Sequence, residues 1–224
     1  MERRSSLAWC SAVAGALLLI LCLMTALSGV SQQSFEWVAP AEEYGRRLVH
    51  DGPWLRWIIA VDDLFVAAYV LATVLLAERL HRERGRLLPT AIAVAGVAAG
   101  VLDVMENHDL LTMLRWVETG GTLDDASIVA RSVLSQTKWL LGHLAFVAVG
   151  VLWRGRTPAD RVLIASLIGF QLPVGALCWT LEDPSSLAAL IWIRYGAFLA
   201  GFGTLAWLTR VSDGSGGAVT GAPG

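Results

Sequence analysis

Apolar residues run almost unbroken through six stretches of this chain, 7–30, 54–77, 89–114, 128–153, 162–181 and 187–209. A hydrocarbon core of roughly 30 Å needs about 20 residues of helix at 1.5 Å each, and every stretch meets or approaches that length. Leu, Ala, Val and Ile dominate each stretch, with scattered polar interruptions. The pattern predicts an all-α integral membrane protein, a single-domain bundle of six transmembrane helices. Pro89 falls in the first turn of its helix, where a missing N–H costs nothing. Pro173 lies inside the fifth stretch and should kink it, leaving the Gly169 carbonyl without its usual donor, beside Gln171. The first stretch follows Glu2, Arg3 and Arg4. Its 24 residues exceed the roughly 7–15 of a signal-peptide core, so it reads as an uncleaved anchor helix.

The connections are short except for 31–53, in which 41–49 can form a short interfacial helix after Pro40 that caps one face. A solvated connector lying on head groups is the equal alternative. From 211 to 224 the chain is rich in Gly, Ser and Ala without periodicity and reads as a disordered tail.

Charge sets the expected topology, because cytoplasmic loops carry the Lys and Arg excess. One side collects ten Arg residues, at 3, 4, 79, 82, 84, 86, 154, 156, 161 and 210. The other collects five, Arg46, Arg47, Arg56, Arg115 and Arg131, together with many acids, Glu36 among them. Both termini are therefore expected in the cytoplasm, with the chain in the plasma membrane. Trp54, Trp57, Trp116 and Trp179 would form an outer aromatic belt and Trp9, Trp153 and Trp207 an inner one, while Trp139 falls mid-span beside Lys138.

Composition agrees with the bilayer as solvent: 55% of the 224 residues are hydrophobic, 16% are charged, and the mean hydropathy is +0.59. A net charge of −2 with scattered Arg clusters gives no nucleic-acid-binding face. Cys10, Cys22 and Cys178 lie in apolar stretches without Cys-x-x-Cys spacing and read as small buried hydrophobes. Neither a His-Glu-x-x-His pattern nor a Gly-x-Ser-x-Gly setting occurs, so no metal and no cofactor is implied.

The informative feature is charge inside the apolar stretches. Asp62 and Asp63 lie in the second, Asp103, Glu106, Asn107, His108 and Asp109 in the third, Lys138 and His143 in the fourth, Gln171 in the fifth and Arg194 in the sixth. Counted from the outer helix ends, Asp62, Asp103, Lys138 and Arg194 reach similar depths, roughly 10–16 Å. A single such charge facing lipid costs about 2.5–3.5 kcal/mol, so these side chains are expected to turn inward and meet. Asp103, Glu106 and Asn107 share one helix face, and Arg131, Ser135 and Lys138 form a second polar stripe. Asp62 and Asp63 point about 100° apart, so only one should face the cluster fully. His108 and Asp109 approach the interface and can snorkel.

Setting Lys138 and Arg194 against Asp62, Asp63, Asp103 and Glu106 leaves a surplus of about two negative charges. That surplus favours a protein that binds or translocates a small polar or ionic ligand, with the acids coupling to protons and homo-oligomers expected for so small a chain. In this reading Asp62, Asp63, Asp103, Glu106, Asn107, Lys138 and Arg194 form the site, with His108, His143, Gln171 and Arg131 secondary. Two other readings compete. A membrane-embedded enzyme acting on a lipid or lipid-linked substrate would use Glu106 or Asp103 as base and His108 near the head groups. A scaffold or assembly subunit would use the charges and the small residues Gly96 and Gly100 to fix helix packing.

Overall fold

A computed structural model describes residues 2–155, 157–180 and 184–214. Within them the chain is entirely helical, with no strand. Helix α1 spans Glu2–Ser28, and a short 3-10 turn follows at Gln32–Phe35. Helices α2 (Ala41–Arg84), α3 (Leu87–Glu118) and α4 (Asp125–Leu152) are long and continuous. The next rod is composite: α5 (Pro158–Ile164), a π-helical stretch (Ala165–Phe170) and α6 (Gln171–Thr180). Helix α7 covers Pro184–Gly214.

Among the described residues, five helices are long and apolar enough to cross a membrane: Ser5–Ser28, Ala41–Arg84, Leu87–Glu118, Pro158–Cys178 and Ala189–Arg210. Helix α4 is not among them although it has 28 residues, because Gln136, Lys138 and His143 dilute its apolar windows. Lys138 and His143 are nevertheless buried within the bundle, and the perimeter face of α4 presents Val129, Val133, Leu140, Leu144 and Val151.

Local signals place the ends. Gly85 and Gly120 adopt φ of 86° and 88° in the α2–α3 and α3–α4 connections, a backbone region that glycine enters without strain. Asp124 caps α4 by accepting the Ser127 N–H, which holds its exposed carboxyl below the usual carboxylate range. Thr157 and Asp160 form a reciprocal capping box ahead of α5, with Pro158 in its first turn. The π-helical stretch ends three residues before Pro173, so the helix meets the missing N–H by local rewinding.

Two expectations need correction. The segment 41–49 is not a separate interfacial helix, since α2 runs through Gly52 and Pro53 for 44 residues, about 66 Å. Burial explains the continuity: Tyr44 and Leu48 pack in one apolar cluster with Phe35, Leu110 and Leu114, which holds the first turns of α2 in line. The last helix also extends past its expected end at 209, to Gly214. The remainder of the predicted tail, 215–224, lies outside the described residues, as do Arg156, Glu182 and Asp183.

Packing follows chain order. α1 packs on α2, α2 on α3, α3 on α4, α4 on the π-helical stretch and α6, these on α7, and α7 back on α1. The six rods therefore close a ring around an interior. Toward one end of the ring lies the apolar cluster of Phe35, Tyr44, Leu55, Leu110, Leu114 and Ile128, and toward the other that of Leu7, Leu76, Leu80, Ile92, Val149 and Leu163. Between these apolar clusters lies the polar layer. Much of the perimeter is apolar, with Leu23, Leu64, Val94, Val101, Leu144 and Val151 all exposed, as lipid contact would require.

Candidate functional site

The α3–α4 contact carries the densest charge. Lys138 Nζ lies 2.5 Å from Glu106 Oε2, 3.0 Å from Asp103 Oδ1 and 3.6 Å from Glu36 Oε1. Arg131, two turns earlier on the same α4 face, places Nη2 3.1 Å from Glu106 Oε1 and donates from Nη1 to the Glu106 carbonyl at 2.7 Å. The Arg131 and Glu106 side chains are both fully enclosed. The i, i+3, i+4 face of α3 and the i, i+4, i+7 stripe of α4 thus meet each other, as helical periodicity demands.

What completes the layer comes from a segment outside the long helices. The chain after α1 folds back into the ring, with Gln32, Gln33, Phe35 and Glu36 all buried. Ser31 caps the 3-10 turn by accepting the Gln33 N–H. Tyr44 Oη and Arg131 Nε both donate to the Phe35 carbonyl, at 2.9 and 3.2 Å, and the Phe35 and Tyr44 rings meet edge to face. So anchored, the turn delivers three polar side chains. Gln32 donates to Asn107 Oδ1 at 2.7 Å and to Asp62 Oδ2 at 3.3 Å. Gln33 accepts from Arg194 at 2.5 Å. Glu36 accepts from Trp139 Nε1 at 3.1–3.2 Å and lies 3.9 Å from Arg194. Burial raises the Glu36 carboxyl above the usual carboxylate range, against the opposing pull of Lys138 and Arg194. The Arg194 guanidinium also covers the Trp139 ring at 3.7 Å.

The second helix adds an acid of a different kind. Asn107 Nδ2 donates to Asp62 Oδ2 at 2.8 Å and to Asp63 Oδ1 at 2.9 Å. Asp63 turns toward the rim, where His108 Nε2 lies 3.6 Å away and both side chains are partly exposed. Asp62 faces the interior, and among the described residues it has neutral amide donors but no cation within ion-pair distance.

Asp62 lines a cavity of about 80 Å³ together with Gln32, Glu36, Tyr69, Asp103 and Lys138. At about 10–15 Å³ per water, that space holds several waters or one small ligand. Aromatic rings make up much of the remaining wall, Phe65, Tyr195, Phe198 and Phe202 among them. Tyr69 Oη donates to Asp103 Oδ2 at 3.2 Å. A second, mostly apolar cavity of about 50 Å³ lies between α2, α4, the composite rod and α7. Phe146, Phe198 and Phe202 line both cavities and so stand between them. Gln171 lines the second, is 1% exposed, and has no hydrogen-bond partner for either amide atom among the described residues.

Asp62, Asp103, Glu106, Asn107, Lys138 and Arg194 are therefore brought into one connected polar layer. Asp63, His108 and Asp109 sit at its rim, and Gln171 belongs to the second cavity. His143 is enclosed and stacks on Trp139 with ring centroids 5.7 Å apart. Two residues assigned to the outside by the charge count, Arg131 and Glu36, are inside. Their inclusion revises the surplus. Lys138, Arg131 and Arg194 meet Glu36, Asp103 and Glu106, and among the described residues of this layer Asp62 is left with no cation within ion-pair distance. Gln32, Gln33, Tyr69 and Trp139 are further site residues that periodicity did not single out. Among the described residues no three His, Cys, Asp or Glu side chains are grouped to hold a metal ion. No protein-family model matches the chain, and no curated protein or solved structure is significantly similar to it.

Proposed function

We propose that this chain is a six-span protein of the plasma membrane, with both termini cytoplasmic, that binds and translocates a small polar or ionic solute through the ring interior. The observation that carries the reading is Asp62, a carboxylate on the wall of an interior cavity with neutral amide partners and, among the described residues, no cation within ion-pair distance. Such an acid exchanges a proton or a cationic solute at low electrostatic cost, whereas Asp103 and Glu106 are already committed to Lys138 and Arg131. Two cavities in series, separated by three Phe rings, supply the interior of a path, and the orphaned Gln171 amide offers a donor and an acceptor along it.

The sixth span is α4, whose charges face the interior and whose perimeter is apolar. With Arg131 withdrawn into the bundle, the Arg count stands at ten against four, which favours the stated orientation. The enzyme reading draws less support, because Glu106 is fully enclosed and ion-paired on both oxygens. The paired charges themselves are a structural network, as the scaffold reading requires, but that reading leaves Asp62 without a task.

A hydrophobic carbodiimide, which modifies protonated carboxyls in apolar surroundings, tests the proposal on the protein in bilayers. Peptide mass spectrometry should find Asp62 labelled faster than Asp103 or Glu106, with labelling slowing as pH rises. Equal labelling of all three acids, or none at Asp62, would sink the reading.

A further inference from the structure

The wall chemistry of the larger cavity restricts what can occupy it. Glu36, Asp62 and Asp103 face one cation, Lys138, so an anionic ligand is repelled. A bare metal ion is less well served. Hard cations require six or so oxygen ligands, and among the described residues no three His, Cys, Asp or Glu side chains are grouped to hold one, while much of the cavity wall is aromatic. Those rings form a continuous series: Tyr69 to Phe65 at 5.3 Å, Phe65 to Phe202 at 5.9 Å and Phe202 to Phe198 at 6.3 Å between centroids. Trp139 is excluded from the series because Arg194 and Lys138 already lie over its ring, at 3.7 and 5.1 Å. That pairing also demonstrates how this interior holds cations, with carboxylate and aromatic face together.

We infer that the cavity bounded by Asp62 and the Tyr69, Phe65, Phe202 and Phe198 rings is a binding site for a small alkylammonium ion. The ammonium charge is balanced by Asp62 and its methyl or methylene groups lie against the rings, which attract cations through their negative faces. At about 10–15 Å³ per water-sized group, a cavity of about 80 Å³ admits a ligand of roughly five non-hydrogen atoms. The inference rests on Asp62 being the available interior acid and adds the class of solute to it.

The test uses the full chain purified in mild detergent, with tetramethylammonium chloride as probe. Sodium chloride at equal ionic strength and tert-butanol, a neutral molecule of similar size, are the controls. Tetramethylammonium should raise the melting temperature saturably while neither control does. Asp62→Asn should abolish the shift, and Phe65→Leu or Phe202→Leu should weaken the apparent Kd by about fivefold. An equal shift with sodium would overturn the inference in favour of an inorganic cation site, and an equal shift with tert-butanol would reduce it to an apolar void. If tetramethylammonium has no effect while carbodiimide still labels Asp62, the ligand class is wrong and the proposed function stands. If both experiments fail, both fall. Because the three-probe comparison is made on the parent protein, the inference stays falsifiable even where a variant folds poorly.

Discussion

Arg131→Met isolates the energetic weight of the buried network. The substitution preserves an unbranched apolar stem and removes a guanidinium that is fully enclosed. Three acceptors lose a donor: the Glu106 carboxylate at 3.1 Å, the Glu106 carbonyl at 2.7 Å and the Phe35 carbonyl at 3.2 Å, the last of which keeps Tyr44 Oη. A buried acceptor left wholly without a donor costs about 1–3 kcal/mol, and one that keeps a second donor costs less. Glu106 keeps Lys138 at 2.5 Å, which softens its share. The expected total is about 3–5 kcal/mol, the range found when one partner of a buried ion pair is removed. Arg56→Met is the matched control, since its pair with Glu118 is partly exposed on both sides and should be worth less than about 1 kcal/mol. Equilibrium unfolding in mixed micelles, titrated with a denaturing detergent, measures both. The Phe35 contact adds a local readout: amide hydrogen exchange across 31–36 should accelerate in Arg131→Met and not in Arg56→Met. A loss in Arg131→Met no larger than in Arg56→Met would refute the argument, because the interior would then be wet enough to solvate the orphaned groups.

Lys138→Met should be at least as damaging, because three acids lie within 3.6 Å of its ammonium, and adding Asp103→Asn should recover part of the loss in the same unfolding assay. Asp62→Asn should leave the unfolding midpoint unchanged or raise it, since it removes an interior charge with no cation beside it; a marked drop would return Asp62 to the structural network. Burial raises the folded-state value of Glu36 above 4.5, so the native protein binds that proton more tightly than the unfolded chain. Stability from this group is full below about pH 4.5 and is lost as pH rises through the folded value, and Glu36→Gln should flatten the fall in melting temperature over that window. Gly100→Ala should cost about 1–3 kcal/mol, because the added methyl would overlap a Val70 methyl across the α2–α3 contact, whereas Gly203→Ala, with open space around it, should be neutral or mildly stabilising by thermal melting.

Much of the architecture was legible along the chain. Runs of about 20 apolar residues dictate membrane-length helices, since backbone polar groups in lipid must be paired within the helix. The cost of exposing a charge to lipid then dictates that Asp62, Asp103, Glu106, Lys138 and Arg194 turn inward, and a spacing of three or four residues says which of them share a face. Those are local consequences of composition and helical geometry, and the polar layer follows them. The fate of Arg131, Glu36 and the 31–36 segment is not local. A short stretch such as Gln32–Glu36 is polar enough to lie in water and is buried only because Lys138, Arg194, Asn107 and Trp139, between 75 and 161 residues away, offer it partners. The same holds for Asp62 against Asp63: two neighbouring acids are equivalent in sequence, and the position of Asn107 and the cavity wall gives one to the interior and the other to the rim. The ring closure between α7 and α1, which brings both helices to the cavity wall, likewise depends on packing between the ends of the chain. The sequence by itself determined the long apolar helices and the inward turn of their charges. Only the tertiary structure decided which acid is left without a cation, because that depends on long-range pairing and not on any local period.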